Sequence, residues 1–195
     1  MKKLLLVVSL ALCSFAANAQ IQDVFYKIEG GAAFGRLNSD AVESRMGVGW
    51  MGRFYVQLFE TDYLGLEAGL GVQQMVSTND VLGQLQDSRW KVMSIDMPLR
   101  SVSRVDFETV SVEPQLGLYF SYGIKASENH SGNLYSSGLD VLRHFNFGID
   151  GTIDVIIADI VKFGVGYQHG WLNMSKVAGK KLRPSIISVT AGVVF

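Results

Sequence analysis

The chain has 195 residues with 21 glycines, three prolines, one cysteine and a formal net charge of −1. Such a near-neutral balance gives no reason to expect a nucleic-acid partner. The length fits one domain, and no linker or low-complexity stretch divides it.

The N-terminus has the form of a secretory leader. Met1-Lys2-Lys3 is a short basic region, residues 4–12 are apolar with one Ser, and Ala17-Asn18-Ala19 gives a small-x-small cleavage pattern. The apolar run is too short to cross a bilayer as a helix. Residues 1–19 are therefore read as a signal peptide and 20–195 as the mature domain, starting at Gln20. Lipidation at Cys13 is disfavoured because Leu12, and not a small residue, precedes it. Removal of Lys2 and Lys3 takes the net charge to −3, and loss of Cys13 excludes disulfides, thiolate chemistry and cysteine metal sites together.

Beyond the leader no apolar stretch reaches membrane-helix length, so any membrane span must be built of strands. Alternation at period two predicts eight strands, at about 26–35, 46–59, 64–76, 91–102, 110–125, 144–156, 161–172 and 186–195. Short turns at 60–63, 104–108 and 158–159 alternate with longer polar loops at 37–44, 78–89, 127–142 and 176–183. The predicted fold is all-β, an eight-stranded antiparallel up-and-down transmembrane β-barrel. Both termini and the short turns would face the periplasm, and the long loops would face outward. In the last strand Ile187, Val189, Ala191, Val193 and Phe195 share a face opposite Ser188, Thr190 and Gly192. Ending on an aromatic suits a strand that must pair and close a barrel, so Phe195 is assigned as the barrel-closing C-terminal signal.

The two faces of the strands differ. One is apolar, as in Val48, Trp50, Phe54, Val56 and Leu58, or Leu116, Leu118, Phe120 and Tyr122. The other carries glycine and isolated charge. By parity Lys27, Glu29, Arg53, Glu67, Asp96, Arg100, Glu113, Asp150, Asp154 and Lys162 point into the lumen, six acids and four bases. Arg45, Lys125 and His144 share that parity. Gly65, Gly69, Gly71, Gly164 and Gly166 crowd the same face, as a narrow interior requires. The expected interior is a salt-bridged plug with Arg53 as hub between Glu29 and Glu67, because guanidinium can bond two carboxylates at once. Aromatics such as Tyr26, Trp90, Tyr122, Phe145 and Trp171 lie near strand ends, where interfacial girdles belong.

Three stretches resemble the PorT-like small outer-membrane β-barrel proteins of Bacteroidetes-type bacteria. They are Lys27-Ile28-Glu29-Gly30-Gly31-Ala32, Ser94-Ile95-Asp96-Met97-Pro98-Leu99, and the run from Gly166 to Met174. Ser94 stands where the family has an aromatic, Asp96 where Glu is usual, and the third stretch lacks the family's Arg. The resemblance implies an outer-membrane barrel and does not imply an enzymatic activity.

The three histidines are the candidates for catalysis. His130 sits in a Ser/Gly/Asn loop, His144 begins a strand, and His169 shares the outward parity of Val165 and Tyr167. A lipid-facing catalytic His needs a neighbouring Ser and an acid, but Gly170, Trp171, Leu172 and Asn173 follow it. No phosphate loop or metal-ligand spacing is present, so no catalytic, cofactor or metal site is expected. The expected function is structural or interactive, through the outer loops of an outer-membrane barrel. A narrow solute channel is the alternative, with a lipid-modifying enzyme or a soluble periplasmic barrel less favoured. Expected partners are outer-membrane lipid, the barrel-assembly machinery and a protein or surface ligand at the long loops.

Overall fold

A strand's backbone donors and acceptors are met only by pairing, and among the described residues every long strand finds two neighbours. The computed structural model describes residues 23–39, 43–59, 64–80, 88–128, 131–135, 142–176 and 181–195. The leader, its cleavage site and His130 lie outside these residues. Ten strands follow in chain order: β1 (Asp23–Ser39), β2 (Glu43–Phe59), β3 (Leu64–Asp80), β4 (Ser88–Ser103), β5 (Val105–Phe107), β6 (Val110–Glu128), β7 (Ser131–Asn133), β8 (Phe145–Ile157), β9 (Val161–Gly170) and β10 (Leu182–Val194). Eight of them, all but the short β5 and β7, form one antiparallel ring. Sequence neighbours pair throughout the ring, β6 bridges β4 and β8, and β10 returns to β1. The fold is thus a closed eight-stranded up-and-down barrel.

The short turns demand unusual backbone. Glu108, Ala158 and Asp159 take positive φ values of 42°, 51° and 57°, the left-handed geometry that tight hairpins use. The predicted turn at 104–108 also hydrogen-bonds as a strand: β5 folds back on the first residues of β6. Most strands run further towards the long loops than the alternation indicated. β10 starts at Leu182, whereas β9 stops at Gly170 and leaves Trp171 outside it.

Two bulges break the simple parity. Between Gly47 and Trp50 the β2–β3 register shifts, and Arg45, beyond that shift, is exposed. Between Met93 and Ser94 the β4–β6 register skips Ile124, so Lys125 is turned out to the exterior. One extra residue reverses every later side chain on its strand, which is why these two cations leave the interior that period-two counting assigned them.

Outside, large apolar side chains stand exposed on every strand of the ring. Ile28, Phe54, Leu70, Met97, Leu116, Ile153, Val165 and Val189 are between 42 % and 60 % accessible. Aromatics flank this belt. Tyr26 stacks on Phe54 and Phe195 at the turn side, while Phe147 meets Trp171 edge-on, 5.5 Å apart, at the loop side. Inside, the barrel has two zones. The turn-side and central lumen is polar. At the loop side, inward Ala33, Leu37, Met51, Met75, Val92, Ala126 and Ile186 join Leu134, Tyr135, Leu142 and Met174 from the connections in one apolar cluster.

Candidate functional site

All ten charged residues assigned to the lumen point inward, and none is more than 5 % exposed. Their pairing follows from register. Opposite Arg53 on β3 is Gly71, and opposite Gly71 on β4 is Asp96. With no side chain between them, the Arg53 guanidinium reaches across and its Nη2 lies 2.6 Å from Asp96 Oδ2. The same row recurs twice. Arg100, Gly117 and Asp150 align across β4, β6 and β8, with Arg100 Nε 2.8 Å and Nη2 3.2 Å from the two Asp150 oxygens. Lys162, Gly192 and Glu29 align across β9, β10 and β1, with Nζ 2.6 Å from Glu29 Oε2. Each base thus reaches its acid over a glycine on the strand between. A Cβ at Gly71 would meet Arg53 Cγ, and one at Gly117 would strike the Leu99 carbonyl. The glycines of the polar face are the space in which the ion pairs form.

Arg100, not Arg53, is the hub. Besides Asp150 it donates to Glu67 at 3.1 Å, to Gln115 at 2.9 Å and to the Tyr55 hydroxyl at 3.3 Å. Glu67 faces Arg100 directly in the β3–β4 register, whereas its β2 neighbour is Gln57. Arg53 is therefore out of line with Glu67 and approaches Glu29 only to 4.0 Å. Tyr55 donates to Glu29 at 2.7 Å and so joins Arg100 to that acid. On the turn side, Lys27 bridges Glu67 at 3.0 Å and Glu113 at 2.5 Å. Lys162 also binds Asp154 at 2.7 Å.

Several members escaped the charge-parity argument. Arg104, just past the end of β4, contacts Glu113 Oε1 at 2.8 Å and supplies a fifth base. Gln115 donates to Asp154 at 2.9 Å, and Gln168 donates to Asp150 at 2.5 Å. Inward parity of the neutral Tyr55, Gln57, Gln73, Gln115 and Gln168 was the available signal. Buried carboxylates and guanidinium groups need such neutral partners, because an isolated pair leaves several donors and acceptors desolvated. Between the network and the apolar plug is a cavity of only about 20 Å³, lined by Gln73, Tyr119, Asn146 and Ile186 among others.

The loop-side plug is held by an aromatic stack. His144 lies between Tyr122 and Tyr135, with ring centroids 5.2 Å and 4.2 Å away, and its Nδ1 is 2.8 Å from the Gly123 carbonyl. His144 thus packs at the rim and takes no part in the charged network. His169 faces outward, but it has a partner that its own strand could not reveal. Its Nδ1 lies 2.9 Å from the hydroxyl of Ser185, its register partner on β10. Phe195 is 62 % exposed at the turn-side rim and exchanges two backbone hydrogen bonds with Tyr26, at 2.8 and 2.9 Å.

A closed eight-stranded ring, apolar outside and filled with ion pairs inside, has the fold of small outer-membrane β-barrels. No family model and no curated protein sequence matches the chain. Among solved structures, Neisserial surface protein A is similar over 89 % of this chain and all of its own, at 17 % identity and a TM-score of 0.51. Ail, the attachment invasion locus protein of Yersinia pestis, covers the same shares at 12 % identity and a TM-score of 0.50. The outer membrane protein OprG from Pseudomonas aeruginosa matches 88 % of this chain and 95 % of its own, at 11 % identity and a TM-score of 0.51. At such identities the likeness concerns the fold.

Proposed function

We propose that this chain is an integral outer-membrane barrel that conducts nothing and works through its outer face. The carrying observation is the filled interior: ion pairs occupy the turn-side and central lumen, and the apolar cluster covers the loop-side mouth. The exterior belt supports insertion, since large contiguous apolar surface on a water-soluble monomer is an association hazard. In a bilayer the same belt is solvated by lipid, and a closed ring leaves no unpaired edge in hydrocarbon. Export under a leader cleaved after Ala19 belongs to this reading, as does the resemblance to PorT-like barrels, which rests on the three stretches quoted above. The reading is non-enzymatic. His169 bonds Ser185, but among the described residues no carboxylate bonds the imidazole to orient it as a base. The working surface is then structural or interactive.

Planar-bilayer recording on the purified mature protein tests the closed lumen. The expected result is the absence of steady unitary conductance in symmetrical salt. Reproducible single-channel steps would revive the solute-channel alternative and sink this one.

A further inference from the structure

We propose that the outer wall of the barrel carries a site for one phosphorylated membrane lipid, built on β1, β10 and β9 at the loop-side rim. The inference rests on the membrane reading above and deepens it. In the β1–β10–β9 register, Arg36, Ser185 and His169 form one row, all with outward parity. Asn38 and Arg183 pair in the row beyond. Together with Lys181 and Tyr167 these residues line a cavity of about 360 Å³ that opens on the exterior. Arg36, Lys181 and Arg183 are exposed, and among the described residues no acid lines the cavity. Two exposed guanidinium groups on one wall, Arg36 and Arg183, with Lys181 beside them, suit a multiply charged anion. Guanidinium groups bind phosphate oxygens in pairs, and lysine adds a point charge.

The polar side chains are arranged to donate. Asn38 Nδ2 donates to the Ser185 hydroxyl at 2.7 Å. With that oxygen accepting from Asn38, the serine proton is available to His169 Nδ1, 2.9 Å away. With Nδ1 accepting, Nε2–H is the remaining donor of the imidazole. The assembly therefore offers charge and hydrogen-bond donors to an acceptor-rich group. It is poorly built for hydrolysis, because the serine oxygen is engaged twice and, among the described residues, no acid bonds the ring.

The rows directly below decide between a soluble anion and a lipid. Phe34, Ile187 and Tyr167 come first, then Ala32, Val189 and Val165, all facing outward. From Tyr167, which also lines the polar cavity, an apolar groove of about 790 Å³ extends along the wall past Val165, Ile153 and Leu116. A ligand matching both parts has a phosphorylated head at the rim and hydrocarbon chains lying along the barrel. With the long loops facing outward, the rim lies at the outer leaflet, so the ligand class is a phosphorylated glycolipid.

Native mass spectrometry of the mature protein released from detergent micelles tests the site. The probes are bisphosphorylated lipid A, the same lipid after phosphatase treatment, and inorganic phosphate. The expected result is one-to-one retention of lipid A, at least tenfold weaker retention of the dephosphorylated lipid, and no competition from millimolar phosphate. The double variant Arg36→Gln/Arg183→Gln should lose at least tenfold in lipid A retention while keeping a heat-modifiable fold, since both side chains are exposed. Equal retention of the two lipids, or an unaffected double variant, overturns the proposal. Full displacement by inorganic phosphate would replace the lipid with a soluble anion and overturn it too. A chain that stays dispersed and folded without detergent would instead bring down the membrane reading, and this site with it.

Discussion

Arg100 shows what one residue does for the lumen. Its guanidinium satisfies two carboxylates, a carboxamide and a phenol at once. Replacing it with Met removes the counter-charge of Asp150 and leaves Glu67 with Lys27 alone, both in a buried site. The expected cost is about 3–5 kcal/mol, the range for stranding buried charge, and it should be read as a lower urea midpoint of the refolded barrel. Arg53→Met strands chiefly Asp96 and should shift the midpoint less. A larger shift for Arg53→Met would return the hub to that residue. Gly117→Val tests the glycine rows separately, because a branched side chain there enters the path between Arg100 and Asp150. Overpacking of about 1–3 kcal/mol is expected, and most of it should persist when combined with Arg100→Met, because the added Cβ strikes the Leu99 carbonyl whatever side chain residue 100 carries. Inward pointing was legible for all ten charged residues because alternation is a local property of each strand. Partner choice was not, because it depends on which residues face each other across strands remote in sequence. Lys125 and Arg45 mark the limit even of alternation, since nothing local in the sequence announced the bulges that turn them outward.

At the scale of elements, strand number and order followed from the spacing of turns and loops, but strand ends and loop behaviour did not. Their polar composition marked the long connections as exposed loops. Instead the described parts of two connections fold into the mouth: Leu134, Tyr135 and Leu142 before β8, and Met174 after β9, are all 7 % exposed or less. Each apolar side chain buried there contributes roughly 1.5–3 kcal/mol, enough to hold a short connection down. These residues are too few and too scattered to show a period, which is why the sequence hid the plug. Burial, with a smaller contribution from Tyr122, pushes the Tyr135 hydroxyl up to about 12. The unfolded chain ionises this group near 10, so its contribution is whole below pH 10 and is lost as pH rises towards 12. Urea midpoints between those pH values should therefore fall more steeply for the wild type than for Tyr135→Phe. Parallel slopes would mean that Tyr135 is already open to solvent in the folded barrel.

For the molecule as a whole, the decisive event is closure of β10 on β1. The seam holds thirteen register pairs, from Lys27 opposite Val194 to Ser39 opposite Leu182. Phe195 adds only the final step: two backbone hydrogen bonds to Tyr26 and a ring stacked on it at 6.0 Å. Net hydrogen-bond contributions of about 1 kcal/mol each make this a small part of the seam. Deleting Phe195 should accordingly lower the urea midpoint of protein refolded in detergent only slightly. In cells the expectation differs, because an incompletely closed edge exposes unpaired donors and acceptors while the chain is being inserted. If the terminal aromatic also guides recognition by the assembly machinery, the heat-modifiable form in outer membranes should fall several-fold while the detergent midpoint barely moves. Comparison of the two readouts separates the roles. Proportionate losses would assign Phe195 to seam stability alone, and unchanged membrane levels would remove it from assembly altogether.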